Sequence, residues 1–410
     1  MTATTATAPA SAATVLPAML PLTLPTGYEV PAPFREAASK AWKTASAKLD
    51  GLITKHPDRF PLYTEEGKWV VDGEAWTNWC EGFLGGQLWM LARRADAADQ
   101  ARFRSAAEHY SELIEHRKDD DTVHDLGFLF WSTYRRWFEA TGDPAKRDVV
   151  VEAGRTTASR YREAGRYMPS FRQPDSLFID IMMNIHMALY AAQQTGDQDM
   201  ARKAVDHCLT TRRFLMRGDG SASHEGMFDL ATGAFLKQTT QQGYSDDGSW
   251  ARGQAWALYG FGTVYRFTGE RRFLETAVAA ADFYMEKTGE RLVPPNDWEE
   301  PAPVRPYETS AAAAAAGGFW QLAGLVGDRT KARIYADYAV NILARLTLDD
   351  FLASPDEAWE GVLKHGSYHE GKDLGVDESV MWGDYWFLDT VDQIQQFDEA
   401  HRLDATPRSR

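Results

Sequence analysis

The chain has 410 residues, 44% apolar and 25% charged, a balance that excludes a disordered or collagen-like protein. Its formal charge is −15 with no basic stripe, which excludes a nucleic-acid partner, and no apolar run reaches the roughly 18 residues of a membrane span. Aromatic residues make up 12%, enough for a large core and for an aromatic-lined groove. The cysteines, Cys80 and Cys208, form no Cys-x-x-Cys pattern and no disulfide framework, so a reducing, cytoplasmic setting is expected.

The first 26 residues are rich in Ala, Thr and Pro. Val15 to Pro25 is apolar but broken by prolines, and no Lys or Arg precedes Arg35. An export signal needs a positive start and an unbroken apolar stretch, so residues 1–26 read as a disordered tail. Residues 27–400 read as a single domain and 401–410 as a flexible C-terminal tail.

From Arg35 onward, two kinds of helical segment alternate. Amphipathic segments with a charged face are Arg35–Lys55, Ala101–His116, Ala145–Glu163, Gln198–Met216, Arg271–Lys287 and Thr330–Leu348. Apolar, aromatic-rich segments are Trp76–Ala92, Asp125–Ala140, Ser176–Gln194, Ala251–Phe267, Ser310–Leu325 and Glu378–Gln395. A helix apolar all round is buried, and one with a charged face is outer. Gly-Asp or Gly-Glu punctuates four junctions, at Gly142-Asp143, Gly196-Asp197, Gly269-Glu270 and Gly327-Asp328. Glycine takes the left-handed position that ends a helix, and the acid favours the next helix start. Inner helices alternating with outer ones predict six αα-hairpins closed into an (α/α)6 barrel. The uneven spacing of the turns predicts long insertions, including Pro294–Pro306, and such loops carry function.

Polar residues gather where the inner segments begin: His124-Asp125, Asp180, Arg252, Glu308 and Asp377-Glu378. In a toroid these starts converge on one end of the central cavity. Glu308, Asp377 and Asp125 also fit simple helix capping. Asp180 follows Leu177, Phe178 and Ile179, too deep for a cap, and a carboxylate there is costly unless paired or used. It lies four residues before Asn184, on the same side of a helix. His365 and His369 sit in a glycine-rich loop without a His-Glu-x-x-His pattern, so no metal site is expected. Neither a nucleophile elbow nor a phosphate loop occurs. Paired carboxylates among aromatic rings are the layout of sugar-active enzymes.

The stretch Gln241-Gln242-Gly-Tyr-Ser-Asp-Asp-Gly-Ser-Trp250-Ala-Arg252-Gly-Gln-Ala-Trp256 resembles the signature of glycoside hydrolase family 88, the unsaturated glucuronyl hydrolases. The resemblance extends to His124-Asp125-Leu-Gly-Phe, Phe178-Ile-Asp180-Ile-Met-Met-Asn184, Ser223-His224-Glu-Gly and Gly375-Val-Asp-Glu378-Ser-Val-Met-Trp-Gly-Asp384-Tyr, from about Trp76 to Tyr385. It implies an (α/α)6 barrel acting on oligosaccharides that end in a Δ4,5-unsaturated uronic acid. The implied reaction is hydration: a proton goes to C4, water adds at C5, and the hemiketal rearranges to release the sugar. No metal or organic cofactor is implied. By the resemblance, Asp180 is the general acid/base and Asp125 the second essential carboxylate. Trp79 and Phe83, i and i+4 on the first inner helix, are ring-stacking residues. His224, Gln242, Arg252 and Trp256 form the subsite for the unsaturated uronate, with Arg252 facing its carboxylate, and His124 is a further substrate-binding residue.

Some relatives take sulfated substrates with a Ser/Lys loop, which here reads His365-Gly-Ser367-Tyr-His-Glu370-Gly-Lys372. Ser367 and Lys372 fit that role, while Glu370 would repel a sulfate. Three other readings remain at this level. One is an inverting hydrolase of saturated sugars, with carboxyl groups about 6.5–9.5 Å apart. Another is an unsaturated rhamnogalacturonyl hydrolase, and the third a non-catalytic toroid.

Overall fold

The structure is a computed structural model in which residues 16–71, 75–301 and 306–405 are described. The outer helices are α1 (Ala32–Lys55), α3 (Ala97–Leu113), α6 (Pro144–Ser159), α8 (Gln198–Phe214), α10 (Arg271–Thr288) and α12 (Arg329–Leu346). The inner layer comprises α2 (Gly82–Arg94), the pair α4 (Leu126–Phe130) and α5 (Tyr134–Thr141), then α7 (His186–Thr195), α9 (Ala251–Thr268), α11 (Thr309–Ala323) and α13 (Met381–Ala405). Neighbouring inner helices pack in chain order, and α13 returns to α2, so the ring closes. This is the (α/α)6 barrel that the alternation predicted. Every residue of α11 is buried, as an inner helix between two others must be.

The turn chemistry holds at most junctions. Gly142, Gly196 and Gly269 take left-handed φ of 70°, 73° and 69° just past their helices. Asp143, Asp197 and Asp328 accept backbone N–H bonds at the starts of α6, α8 and α12. Gly327 is the exception: α11 already ends at Gly324, and Gly327 has no positive φ.

Three small antiparallel sheets lie in the connections that lead into inner helices. They are β1 (Thr64–Glu65) with β2 (Lys68–Trp69), β3 (Ser176–Phe178) with β4 (Glu225–Phe228) and β5 (Phe235–Thr239), and β6 (Gly366–His369) with β7 (Leu374–Glu378). They shorten the inner helices that the sequence predicts. The expected helix over Ser176–Gln194 opens instead as β3 and a 3-10 turn, Ile179–Met183, before α7 begins. A short apolar run buried on all sides has no period to separate strand from helix. The expected helix from Asp125 is interrupted after Phe130, where the Ser132 and Thr133 hydroxyls donate back to the Phe128 and Leu129 carbonyls. Such bonds compete with a regular helix.

Residues 1–15 and 406–410 of the expected tails lie outside the described residues. Residues 16–26 are not a loose tail: Leu20 N donates to Arg266 O (2.8 Å) and Thr23 N to Gly324 O (3.0 Å), while Leu16, Met19 and Leu24 pack on the core. The apolar side chains of this stretch have a surface of their own to cover. At the other end, α13 continues past position 400 to Ala405.

Candidate active site

Asp180 sits in the 3-10 turn that follows β3, and the turn is fixed from both sides. Ile179 N donates to His224 O (2.9 Å), tying it to the residue before β4. Asn184 Nδ2 donates to Asp180 O (3.2 Å), and Asn184 Oδ1 accepts from Phe128 N (2.9 Å) in α4. One buried amide therefore holds the Asp180 turn and the start of the helix that Asp125 precedes. Gly127 makes this possible, since a Cβ there would lie 2.7 Å from Asn184 Oδ1.

Asp125 directly precedes α4, but its side chain caps nothing. Instead Asp125 Oδ1 lies 3.2 Å from His124 Nε2. His124 Nδ1 accepts from Phe171 N (3.0 Å), so the ring proton is on Nε2 and faces the carboxylate. The same device recurs at Asp180. His224 Nδ1 accepts from the backbone N–H groups of Gln241 (3.1 Å) and Gln242 (3.3 Å), and His224 Nε2 lies 3.6 Å from Asp180 Oδ2.

Burial raises the Asp180 carboxyl to about 7, with Arg252 opposing the rise and Glu225 adding to it. Burial, reinforced by the charge of Asp180, pushes Asp125 well above the usual carboxylate range. Burial also pushes both histidines far down, so they remain neutral donors. The pair thus holds a proton at neutral pH on groups that are ordinarily ionised.

Both carboxylates line a cavity of about 310 Å³ at the end of the barrel where the inner helices begin. Trp79 and Trp256 form part of its aromatic wall. Trp79 comes from a 3-10 turn, Ala75–Cys80, not from the first inner helix, and its Nε1 donates to the Tyr368 hydroxyl (3.1 Å). Phe83 is not at the wall: it is fully buried against Phe128, Tyr385 and Trp79, and no sugar reaches it. The two rings do touch, edge to face at 6.0 Å, but the helix begins at Gly82, so only Trp79 turns towards the cavity.

Arg252 and Gln242 also line the cavity. Arg252 is 2% exposed and fully engaged through its Nη atoms. Nη1 donates to Glu308 Oε2 (3.1 Å) and to Ser367 O (2.6 Å); Nη2 donates to Gln242 Oε1 (2.5 Å) and to Tyr368 O (2.8 Å). Glu308, fully buried, also caps α11 through Ser310 N and Ala311 N, as the capping reading of it expected, and it is not among the residues that line the cavity. Lys372 lines the cavity, whereas the Ser367 side chain is buried behind it. His224 likewise stands behind Asp180 rather than in the lining. Sequence reasoning missed Phe171, Arg172, Phe178, Gln241, Tyr368 and His369 as lining residues. Phe171 and Arg172 belong to an irregular loop with no motif, and only the chain's return beside β4 brings them here. Arg172 Nη1 reaches the buried Glu225 (3.2 Å), which follows His224 in the quoted motif.

Asp377 is not at the cavity; it is exposed and pairs with His365. Glu378 accepts from Gly67 N and Glu66 N, holding the β1–β2 turn. Among the described residues no cluster of His, Cys, Asp or Glu is arranged to hold a metal ion.

The family model for Glycosyl Hydrolase Family 88 matches residues 52–292, which contain both carboxylates. The chain belongs to glycoside hydrolase family 88. It is 29% identical to the unsaturated glucuronyl hydrolase of Bacillus sp. (strain GL1), over 87% of this chain and 97% of that protein. It is also 29% identical to the unsaturated chondroitin disaccharide hydrolase of Streptococcus agalactiae serotype III, over 87% and 90%. The crystal structure of the Bacillus sp. GL1 hydrolase superposes with a TM-score of 0.82 at 28% identity, covering 89% of this chain and 97% of that one. A mutant unsaturated glucuronyl hydrolase from Streptococcus agalactiae, complexed with dGlcA-GalNAc6S, superposes with a TM-score of 0.74 at 26% identity, over 92% and 98%.

Proposed function

We propose that this glycoside hydrolase removes a Δ4,5-unsaturated uronic acid from the non-reducing end of lyase-generated oligosaccharides, by hydrating the C4=C5 bond. The observation that carries the chemistry is the Asp180 carboxyl, raised to about 7 in an aromatic cavity that it shares with Asp125, a second carboxyl pushed well above the usual range by burial and by Asp180. Near neutral pH Asp180 exists in both forms, which a residue serving first as acid and then as base requires.

Protonated Asp180 gives its proton to C4, and the ring oxygen stabilises the positive charge left at C5. The Asp180 carboxylate then takes a proton from the water whose oxygen bonds to C5. The resulting C5 hemiketal opens to a ketone, and the hemiacetal exposed at C1 expels the remaining sugar as an alcohol. Asp125, kept neutral, serves as a hydrogen-bond donor beside the reacting ring. Trp79 and Trp256 supply faces for the sugar, and Gln242 and Lys372 supply polar contacts.

Arg252 acts on the substrate carboxylate through the positive field of its guanidinium. Its Nη hydrogens are already assigned, so a direct bond falls to the Nε hydrogen or requires Gln242 to give up its place. The chemistry draws on no cofactor. We place it in the single barrel of residues 27–400 and in the cytoplasm, where the buried thiols of Cys80 and Cys208 stay reduced.

The test follows the ultraviolet absorbance of the conjugated double bond across a panel of unsaturated disaccharides, with saturated counterparts as controls. Loss of absorbance with release of the second sugar is expected. Cleavage of the saturated sugars instead would establish ordinary inverting hydrolysis.

A further inference from the structure

The barrel has a second cavity at its other end. The catalytic cavity is built largely from segments that precede inner helices; this one, of about 380 Å³, is lined by their later turns, including Arg135, Tyr259, Arg266 and Gln396. Residues Met19 and Leu22 of the docked N-terminal segment lie across it. The two cavities are separated by little more than one ring, since Trp386 lines the lower one and packs on Trp256 of the upper (centroids 6.1 Å apart).

The lower lining is polar and its charges do not balance. Arg93 pairs with Asp392, Arg136 with Asp389, and Arg135 with Glu139. Arg266 is left over: among the described residues it has no carboxylate partner, and its Nε donates only to Leu20 O (3.1 Å). Burial disfavours its charge and Arg135 repels it, with Tyr259 alone opposing them. A largely buried cation without a counter-ion is costly, and a small anion removes the cost. Three further buried nitrogens in this lining, Arg136 Nε, the His186 ring Nε2 and Trp386 Nε1, have no hydrogen-bond partner. Aromatic faces from Trp131 and Trp386, polar ends from Tyr259 and Gln396, and one unmatched positive charge suit a hydroxylated ring carrying one negative charge.

We propose that this lower cavity is a second ligand site, taking a monocarboxylate the size of one sugar acid, with its carboxylate on Arg266 and its hydroxyls among His186, Tyr259 and Gln396. The site is independent of the catalytic residues and of the reaction assigned to them.

The experiment titrates the full chain and an Arg266→Gln variant with sodium D-glucuronate, D-glucose and inorganic phosphate, by calorimetry. Binding at the catalytic cavity is common to both proteins, so their difference reads the lower site. The wild type is expected to bind one more equivalent of glucuronate than the variant, or to bind it at least about tenfold more tightly there, the loss of one charge-assisted bond. Glucose and phosphate should give no such difference, and kcat/KM on an unsaturated disaccharide should be equal in the two proteins. Identical glucuronate isotherms overturn the proposal; a difference given equally by phosphate or glucose overturns the sugar-acid assignment. Should the variant fail to fold, wild-type crystals soaked in glucuronate decide. Density beside Arg266 supports the site, and density in the catalytic cavity alone overturns it.

Discussion

His224 Nε2 lies 3.6 Å from Asp180 Oδ2, and neither atom has a hydrogen-bond partner. The other ring nitrogen accepts from the backbone amides of Gln241 and Gln242, so Nε2 must carry the hydrogen. The imidazole is thus a fixed neutral donor aimed at the acid/base, a little beyond bonding distance. Such contacts tighten as the reaction proceeds.

Replacing His224 with Ala should therefore lower kcat more than it raises KM. It should also move the alkaline limb of the pH–rate profile upward, because the ionised Asp180 loses the donor that favours it. An unmoved limb with a lowered kcat would show that His224 only shapes the loop. Steady-state kinetics across pH on an unsaturated disaccharide make the measurement.

Asp180→Asn keeps the shape of the side chain and removes proton transfer. A fall in kcat of about 10²–10⁴-fold or more is expected, with a smaller change in KM. Retention of more than about a tenth of the activity would remove Asp180 from the acid/base role.

The wild-type rate itself should fall as pH rises through about 7, because the acid that protonates C4 is lost as Asp180 ionises. Stability carries the same signature. The Asp180 carboxyl goes from 3.8 to about 7 on folding, so between those values the folded state binds more protons than the unfolded one. Its stabilising contribution is complete below 3.8 and is lost as pH rises through about 7. At 1.36 kcal/mol per pK unit the loss has an upper bound of about 4 kcal/mol. Asp180→Asn should accordingly melt above the wild type at pH 8 and converge with it near pH 4, as thermal unfolding at both pH values will show.

Removing Arg252 should do two things. Arg252→Ala leaves the fully buried Glu308 without its cation, and breaking a buried pair costs about 3–5 kcal/mol. It also removes the positive field over the substrate carboxylate, so KM should rise. The double variant Arg252→Met/Glu308→Gln should regain much of the melting temperature but none of the KM. Recovery of both would place Arg252 in the scaffold alone.

Trp79 and Phe83 should separate cleanly. Trp79→Ala should raise KM, since the ring lines the cavity. Phe83→Ala should cost about 3–5 kcal/mol of stability and leave KM nearly unchanged, because that ring is sealed under the floor. Denaturant unfolding alongside kinetics distinguishes the two.

The periodic pattern by itself determined the alternation of buried and amphipathic helices, the tight turns at Gly142, Gly196 and Gly269, and the depth of Asp180. These are local properties: burial on all sides, a left-handed glycine and an acid at the next helix start are written in neighbouring residues. The family motifs marked Asp125, Asp180, Gln242, Arg252 and Trp256, all of which reach the cavity wall. Tertiary structure decided the rest. It turned the expected helix at Ser176 into a strand and a 3-10 turn, because β3 finds β4 some 50 residues away, as the pairing of Phe178 with Glu225 records. It sent Phe83 beneath the site and His224 behind Asp180. It gave the Arg252 hydrogens to Glu308, Gln242 and two backbone carbonyls. It brought Arg172 to the cavity from a loop without a motif. In each case the deciding partner lies far along the chain, where neither period nor propensity reaches, and only closure of the barrel sets which side chains share a wall and which proton each carboxylate keeps.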